Sequence, residues 1–243
     1  ILPEQIDADL ETSQRAFLWR VFDGDMDRYA GRLEAIGFRE ANHVLDLGCG
    51  YGQWTLSLAN RNVSVTGVDI DANRVSVAKR IAEANDVNNI HWLVGEMERV
   101  PFAEASFDAV FSYSSIYHGN EERAIAQIAQ IVRPGGSVYL NYNGVGWFLF
   151  CLLKRGLFRS DVAETRKALM SLARTLMRDR QGAHALTGKR LIGLLERSGF
   201  AIQCEAGDGG IRQSGPVQKP FYRGTYWGCE GVREILARKR VPK

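Results

Sequence analysis

The sequence predicts an α/β fold in which helices cover both faces of a doubly wound, mostly parallel sheet of seven strands. One observation behind this prediction is that short apolar runs alternate with helix-like segments through residues 41–142. Another is a turn with Gly48, Gly50 and Gly52 directly after the apolar run Val44–Leu47. A third is Asp69, which ends the next apolar run. Together they predict a βαβ unit whose first turn leaves the backbone open to a ligand.

Residues 1–40 predict an N-terminal cap of helices, because apolar side chains recur there at helical spacing up to Gly37. The core, residues 41–142, predicts strands at 43–47, 63–68, 89–94, 107–112 and 136–142. Helices are predicted between them at 52–60, 71–85 and 120–132, and Asp71 is expected to cap the second of these. This order gives a single domain with helices on both faces of the sheet.

Residues 143–186 interrupt the alternation and predict a basic helical insertion after the fifth strand, and we expect it to act as a mobile lid over the acceptor site. Its second half carries an apolar stripe, with bases elsewhere, formed by Val162, Leu169, Leu172, Leu176 and Met177. Residues 187–243 predict the last helix, at 187–198 with Thr187 as its cap, and closing strands at 201–205 and 221–227. A polar loop over 207–220 joins those two strands.

The glycine turn indicates which cofactor to expect. The dinucleotide fingerprint G-x-G-x-x-G is not met, because Gln53 stands at the position of its third glycine. Asp46, two residues before the first glycine, would crowd a pyrophosphate but suits an ammonium group. Asp69 lies 21 residues after Gly48, where a carboxylate can hold the two hydroxyls of a ribose. S-adenosylmethionine has the ammonium and the ribose, and it has no phosphate.

At these residues the chain resembles the class I S-adenosylmethionine-dependent methyltransferases. Gly95–Phe102 is similar to that family's adenine-binding segment, Phe107–Ser112 to its fourth strand, and Ile131–Gly136 to its turn into the fifth strand. The resemblance covers residues 40–142 and implies a Rossmann-like fold, methyl transfer and a helical leader over the cofactor site.

The resemblance also implies roles for single residues. Asp46 and the glycine turn would hold the methionine half, Asp69 the ribose, and Met97 the adenine ring. Glu96 stands where the family usually has an aspartate near the adenine amine. The cofactor-binding set is then Asp46, Gly48, Cys49, Gly50, Gly52, Asp69, Ile70, Glu96, Met97 and Ser112.

Methyl transfer needs positioning of donor and acceptor, and a base if the acceptor is a hydroxyl. His118 follows the fourth strand at the ligand end of the sheet, and its run from Ser112 is expected to wall the acceptor site. The catalytic candidates are His118, Tyr113 and Tyr117, and the alternative for His118 is a hydrogen-bonded residue that shapes the loop. Further wall candidates are Trp19 and Tyr29, and His184 is a weaker candidate base.

The fourth strand lacks the Asn/Asp-Pro-Pro-aromatic turn of methyltransferases that act on exocyclic amines and amides. Hydroxyl, carboxylate or carbon acceptors remain. Four scattered cysteines predict neither a disulfide framework nor a zinc site, and they suit a reducing, cytoplasmic location. No apolar run approaches the roughly 20 residues that span a bilayer. The first residue is Ile rather than Met, which suggests a tag, a trimmed start or an upstream domain.

The charge is uneven, because Lys154–Arg190 holds ten bases and three acids while the whole chain is only +3. This basic segment has three interpretations: a solvated helix face, a site for an anionic acceptor such as a phosphorylated sugar, glycan or lipid headgroup, or a membrane contact. For the membrane contact, the apolar residues 147–153 beside Lys154 and Arg155 are the expected patch. Nucleic acid is disfavoured, because no recognition motif is present.

The sequence thus favours a methyltransferase that acts on an oxygen of a small or glycan-like, anionic or neutral acceptor. The alternatives are a non-catalytic cofactor-binding or scaffold domain of a larger protein, and a methyltransferase acting at a membrane on a lipid-linked acceptor. No metal is expected.

Overall fold

The computed structural model describes residues 2, 6, 10–22, 26–213, 215 and 218–242. The helices predicted within residues 1–40 are α1 (Thr12–Phe22) and α2 (Asp27–Ala35). The parts of that prediction at 1, 3–5, 7–9 and 23–25 lie outside the described residues, as do positions 214 and 216–217 of the predicted loop.

The described part of the chain alternates strands and helices in the predicted order. The further helices are α3 (Gln53–Ala59), α4 (Ala72–Ala84), α5 (Glu121–Ile131), α6 (Val145–Phe150), α7 (Val162–Met177) and α8 (Gly188–Arg197). The strands are β1 (His43–Leu47), β2 (Ser64–Asp69), β3 (Ile90–Val94), β4 (Phe107–Ser112), β5 (Val132–Asn143), β6 (Phe200–Gly207), β7 (Thr225–Tyr226), β8 (Cys229–Glu230) and β9 (Val232–Lys239). Asp71 caps α4 and Thr187 caps α8, as predicted.

The main sheet has seven strands in the order β3-β2-β1-β4-β5-β9-β6. The first five strands in this order run parallel, and β9 runs antiparallel to both β5 and β6. The predicted α/β fold class is therefore confirmed. The strand order reverses at β1, with β2 and β3 on one side and β4 and β5 on the other. At such a reversal the carboxyl ends of the strands border a crevice.

Both faces of the sheet are buried, which explains why the central strands are apolar along their whole length. In β1, Leu45 packs with the face covered by α5 and α8, whereas Val44 packs with the face covered by α2 and α3. The helix α1 joins a further cluster with α4 through Leu18 and Ile81. The helical leader is thus packed on the sheet's own helices.

The predicted closing strand at 221–227 is wrong. That segment holds a loop and the short β7, which pairs with β8 outside the main sheet, while the strand that enters the main sheet is β9. The apolar side chains of β9, among them Ile235 and Leu236, are buried, but Arg233, Glu234, Arg238 and Lys239 break up the apolar pattern in the sequence. Lys239 donates from Nζ to the carbonyl of Val132 at 2.7 Å. Its part-buried ammonium group, at the end of β9, therefore has a hydrogen-bond acceptor in the protein.

The insertion is helical, as predicted, but its apolar residues lie differently from expectation. After α6 the chain makes a π-helical turn, Cys151–Gly156, and a 3₁₀ turn, Leu157–Arg159, before α7. Residues 147–153 do not form an exposed patch. The ring of Trp147 packs edge-on against the ring of Tyr222, and Phe148 is buried. The stripe on α7, in contrast, is largely exposed.

Glu121, at the start of α5, ties the end of the insertion to the sheet's helices. Its carboxylate is fully buried and pairs with Arg180 and with Arg190 of α8, and its Oε2 lies 3.3 Å from Nε2 of His184. His184 also donates its backbone N–H to the carbonyl of Tyr117 at 3.1 Å. The segment after α7 is therefore held against the 3₁₀ turn that follows β4, Ile116–His118. Among the described helices, none is long and apolar enough to cross a membrane.

Candidate active site

A cavity of about 560 Å³ opens at the carboxyl ends of β1, β2 and β4. Segments far apart in the sequence line it, among them the glycine turn, the ends of β2 and β3, the loop after β4, helices α1 and α2, and the loop before β7. Of the residues predicted for the site, the cavity brings together Gly48, Cys49, Gly50, Asp69, Ile70, Met97, Tyr113, Tyr117 and His118.

The glycine turn brings bare backbone to the floor of the cavity. Gly48 has a φ of +84°, and a Cβ there would lie 2.3 Å from the Cβ of Ser115, so the loop after β4 rests directly on this glycine. A Cβ on Gly50 would meet no atom within 4 Å, so its missing side chain leaves space for a ligand. Gly52 serves packing instead, because a Cβ there would lie 2.9 Å from the ring of Trp92.

Asp69 lies where β2 ends, and its carboxylate is oriented by the backbone. Its Oδ2 accepts from the N–H of Gly50 at 2.9 Å, and its Oδ1 accepts from the N–H of Asp71 at 3.0 Å. Each carboxylate oxygen has a second lone pair. Asp69 can therefore accept two hydroxyl donors from a ligand while it holds the glycine turn in place.

Asp46 lies behind the glycine turn and does not line the cavity. Its Oδ2 accepts from the hydroxyl of Thr55 at 2.6 Å. Burial raises the pKa of the Asp46 carboxyl to about 7, against the Thr55 hydrogen bond, which lowers it. The carboxylate thus lacks a compensating positive charge.

The cavity wall beyond Asp69 contains Ile70, which is exposed, and Met97, which is half-buried. Glu96 is a solvent-facing side chain outside the cavity lining, so the structure does not place it where an adenine contact was expected. Ser112 is also outside the lining, since its hydroxyl is buried 2.6 Å from the hydroxyl of Ser115. The sequence alone does not show which of these side chains face the cavity. Neighbouring side chains on an extended segment point in opposite directions, so residues adjacent in the sequence can lie inside and outside the lining.

Aromatic rings wall the other end of the cavity. Trp54 packs edge-on against Tyr29 at 4.7 Å and lies 4.8 Å from Tyr113, measured between ring centroids. Phe221 stacks on Tyr29 at 5.4 Å. Phe17 and Tyr222 complete this wall. Tyr29 was among the expected wall residues, whereas Trp19 does not line the cavity.

The two candidate tyrosines are neutral phenols in this setting. Burial raises the pKa of Tyr113 well above its ordinary value, and its hydroxyl donates to Asp208 at 3.0 Å. Burial raises the pKa of Tyr117 to about 12. Neither phenol is ionised near neutral pH, so the two tyrosines serve as walls and hydrogen-bond partners and not as bases.

His118 faces the cavity from the 3₁₀ turn Ile116–His118. Its side chain is accessible through the cavity, yet desolvation by the surrounding walls, together with the charge of Arg74, lowers its pKa to about 4. The imidazole is therefore neutral above about pH 5 and can accept a proton.

The cavity lining also contains four residues that were not predicted from the sequence: Gln53, Trp54, Phe221 and Tyr222. Gln53 and Trp54 follow the glycine turn directly, so the turn itself was a signal for them. Phe221 and Tyr222 carry no such signal, because a buried carboxylate from elsewhere positions them. The Oδ2 of Asp208 accepts from the backbone N–H of Phe221 at 2.7 Å and of Tyr222 at 2.9 Å.

Asp208 belongs to a buried ionic network that no sequence pattern predicted. The guanidinium of Arg32 on α2 donates to Asp208 at 2.7 Å and to Glu234 of β9 at 2.8 Å. Tyr139 of β5 donates its hydroxyl to Glu234 at 2.6 Å. These carboxylates raise the pKa of Arg32, although burial opposes them. The network fixes the N-terminal helices and the loop of Phe221 on the same sheet edge.

A second cavity, of about 320 Å³, lies on the other side of Tyr117 and His118 and is lined by α6 and α7. Its walls are apolar at Trp147 and Phe148, and Lys167, Arg174 and Glu164 supply charge. Because Tyr117 and His118 line both cavities, one ligand that passes these residues would contact both. No cluster of three or more His, Cys, Asp or Glu that could hold a metal ion occurs in the described ranges.

Comparison with known proteins places this site in a family. Residues 44–136 match the family model described as a methyltransferase domain. A 27-O-demethylrifamycin SV methyltransferase from Amycolatopsis mediterranei is 31% identical over 161 residues, which are 65% of this chain and 56% of that protein. An O-methyltransferase from Pyrenophora dematioidea is 35% identical over 96 residues, 38% of this chain and 36% of that protein. The chain thus spans between a third and somewhat over half of the length of these relatives.

Solved structures share the fold over most of the chain. A geranyl diphosphate methyltransferase in complex with SAM has a TM-score of 0.64 at 12% identity and covers 96% of this chain and 93% of its own. A 4+2 cyclase, SpnF, has a TM-score of 0.63 at 18% identity and covers 89% of this chain and 82% of its own. At such identities the likeness is one of fold alone.

Proposed function

We propose that the chain, whose residues 44–136 match a methyltransferase domain, transfers a methyl group from S-adenosylmethionine to a hydroxyl of a small, largely apolar acceptor. The observation that carries the proposal is the larger cavity, with the glycine turn and Asp69 at one end and aromatic rings at the other. Oxygen is favoured as the acceptor atom because a similar curated protein is an O-methyltransferase.

The residues at the glycine turn fit S-adenosylmethionine. Gly50 faces open space, and the free lone pairs of Asp69 suit the two ribose hydroxyls. Among the described residues, the buried Oε1 of Gln53 has no hydrogen-bond partner, and it can accept from an ammonium group. A positive charge here would also stabilise the ionised form of Asp46, whose pKa burial has raised. When bound, this cofactor supplies a methyl group on a sulfonium that loses its charge on transfer.

The aromatic end favours an apolar acceptor over a glycan. Trp54, Tyr113 and Phe221 offer ring faces and edges, which pack well on a flat or hydrocarbon group. They offer few hydrogen-bond partners, since the hydroxyl of Tyr113 is engaged by Asp208. Closed walls of this kind also exclude water from the transfer path.

His118 is the proposed proton acceptor for the hydroxyl. Its imidazole is neutral near pH 7 and lies beside both cavities, while Tyr113 and Tyr117 hold their protons. A neutral histidine can take the proton as the oxygen bonds to the methyl group.

The second cavity gives a place for a polar or anionic tail of the acceptor. Lys167 and Arg174 bring positive charge to its lining, and Arg suits a carboxylate or phosphate by its fork of donors. We therefore infer an acceptor with an apolar reacting part and an acidic or polar extension.

A transfer assay tests the proposal against a non-catalytic domain. Tritiated S-adenosylmethionine is incubated with the protein and a panel of phenols and alcohols, each with and without a carboxylate tail. We expect labelled methyl ethers from apolar members and faster transfer to those with the tail. A protein that binds the cofactor but labels no member of the panel would favour the non-catalytic domain.

A further inference from the structure

The basic insertion presents a row of exposed apolar side chains on its outer side. Phe158 is 74% exposed, Val162 81% and Leu176 86%, and the row continues through Leu157, Leu169, Met170 and Met177. Val162, Leu169 and Leu176 are seven residues apart, so they lie along one side of α7. Single exposed apolar side chains are ordinary, but a contiguous row marks an interaction surface.

The same surface is positively charged. Lys154–Arg178 contains seven bases and two acids. Asp161 caps α7 by accepting the backbone N–H of Glu164, and Glu164 lines the second cavity. With both acids counted, the segment keeps a net charge of +5 (7 − 2). The bases Arg159, Arg166, Lys167 and Arg178 are exposed between the apolar side chains. The outer side of α7 is thus apolar and cationic together.

This combination selects among occupants. A second copy of the chain would bring a like-charged surface against this one, so self-association through it is repulsive. Nucleic acid matches the bases, but it leaves Val162 and Leu176 against water or phosphate. An anionic lipid bilayer matches both parts, because its headgroups attract the bases and its acyl boundary takes up the apolar side chains.

We propose that the outer side of the insertion, residues 157–178, docks on an anionic membrane surface. The helix α7 then lies in the interface plane with Phe158, Leu169 and Leu176 in the acyl boundary. Lys154, whose ammonium lies 4.6 Å from the ring centre of Phe158, stays at headgroup level above that ring. Since Lys167 and Met170 also line the second cavity, that cavity lies beside the docked surface. The proposal does not depend on methyl transfer.

Co-sedimentation with vesicles tests this surface. The full chain is mixed with vesicles of phosphatidylglycerol and phosphatidylcholine, and separately with phosphatidylcholine alone. We expect binding to the anionic vesicles only, weakened by added salt. Arg159→Gln, Arg166→Gln and Arg178→Gln together should lower the partition coefficient by about fivefold for each base removed. The matched control, Arg39→Gln with Arg99→Gln and Arg212→Gln, removes three exposed bases outside the surface and should bind as the parent does.

The apolar half has its own pair of variants. Phe158→Ser with Leu176→Ser should abolish sedimentation, whereas Val63→Ser with Val241→Ser, at exposed apolar positions elsewhere, should not. Phe158→Trp adds a reporter that keeps the surface intact, and its fluorescence should shift to the blue on anionic vesicles. No sedimentation and no blue shift would overturn the proposal. A dimer in light scattering that Phe158→Ser with Leu176→Ser dissociates would also overturn it, in favour of a second copy.

Discussion

At the scale of single residues, the site depends on which atoms are already engaged. Each carboxylate oxygen of Asp69 accepts one backbone N–H and keeps a second lone pair free. The hydroxyl of Tyr113, in contrast, already donates to Asp208. His118 is set apart because its imidazole is desolvated but not engaged by a carboxylate. These differences support the roles we propose for these residues, as cofactor contact, wall and proton acceptor, which the sequence could not tell apart.

Replacement of His118 by glutamine tests its role as a proton acceptor. We expect kcat to fall by about 10²-fold or more with cofactor affinity unchanged, because the imidazole takes the proton only during transfer. In the parent, kcat should stay level from neutral pH down to about pH 5 and fall as the pH approaches 4, where His118 becomes protonated. His43→Gln, at the opposite end of the sheet, is the control. A variant with parental kcat would leave His118 as a loop-shaping residue.

At the scale of elements, the strands and helices that build the glycine turn were predictable, and those that close the site were not. The strands β1, β2 and β4 are buried on both faces, so their apolar runs predict them within one residue. The strand β9 escaped prediction because it carries Glu234, whose partner Arg32 lies 202 positions away in the sequence. No local pattern contains such a partner.

The insertion illustrates the same limit. Its helices were predicted from composition and spacing, but which apolar residues face the protein depends on contacts with the loop of Tyr222 and with Glu121. In the run 147–153, Trp147 packs against the ring of Tyr222, whereas the apolar stripe of α7 is largely exposed. A mobile lid over the acceptor was our expectation for this segment, and the clamp at Glu121 holds its carboxyl-terminal end.

Glu121→Gln should release that end. The substitution removes the buried negative charge that Arg180 and Arg190 share, and we expect the free energy of unfolding to fall by about 1–3 kcal/mol. Hydrogen exchange over residues 180–187 should become faster than in the parent. Glu122→Gln is the matched control, because Glu122 is largely exposed and pairs with Arg190 only at 3.6 Å, so its effect should stay under about 0.5 kcal/mol. Equal exchange in the two variants would show that Glu121 does not clamp the insertion.

At the scale of the whole molecule, stability and ligand binding share one buried group. Asp46 is almost fully buried, and its pKa rises from an ordinary 3.8 to about 7 on folding. Folding therefore favours the protonated form of this carboxyl. The contribution of the group to the free energy of unfolding is fully present below about pH 4 and is lost as the pH rises through 7. The apoprotein carries the cost of an ionised carboxylate at the glycine turn above that pH.

Asp46→Asn should remove this pH dependence from the apoprotein. The free energy of unfolding of the variant minus that of the parent should increase by about 2–3 kcal/mol between pH 5 and pH 8, measured by urea titration at each pH. The control is Asp86→Asn, an exposed acid at a left-handed position that asparagine tolerates, and its difference should not change with pH. A difference for Asp46→Asn that is also independent of pH would contradict the burial of a weakly compensated carboxylate.

The central claim is that the glycine turn and Asp69 bind S-adenosylmethionine, and calorimetric titration tests it most directly. The parent should bind S-adenosylmethionine or its demethylated product, and it should not bind NAD. Asp69→Ala should weaken binding by roughly 2–4 kcal/mol, because the ribose hydroxyls and the N–H of Gly50 lose their acceptor. Glu96→Ala, at an exposed acid outside the cavity, should bind as the parent does. Parental affinity in Asp69→Ala, or binding of NAD in preference, would contradict the account.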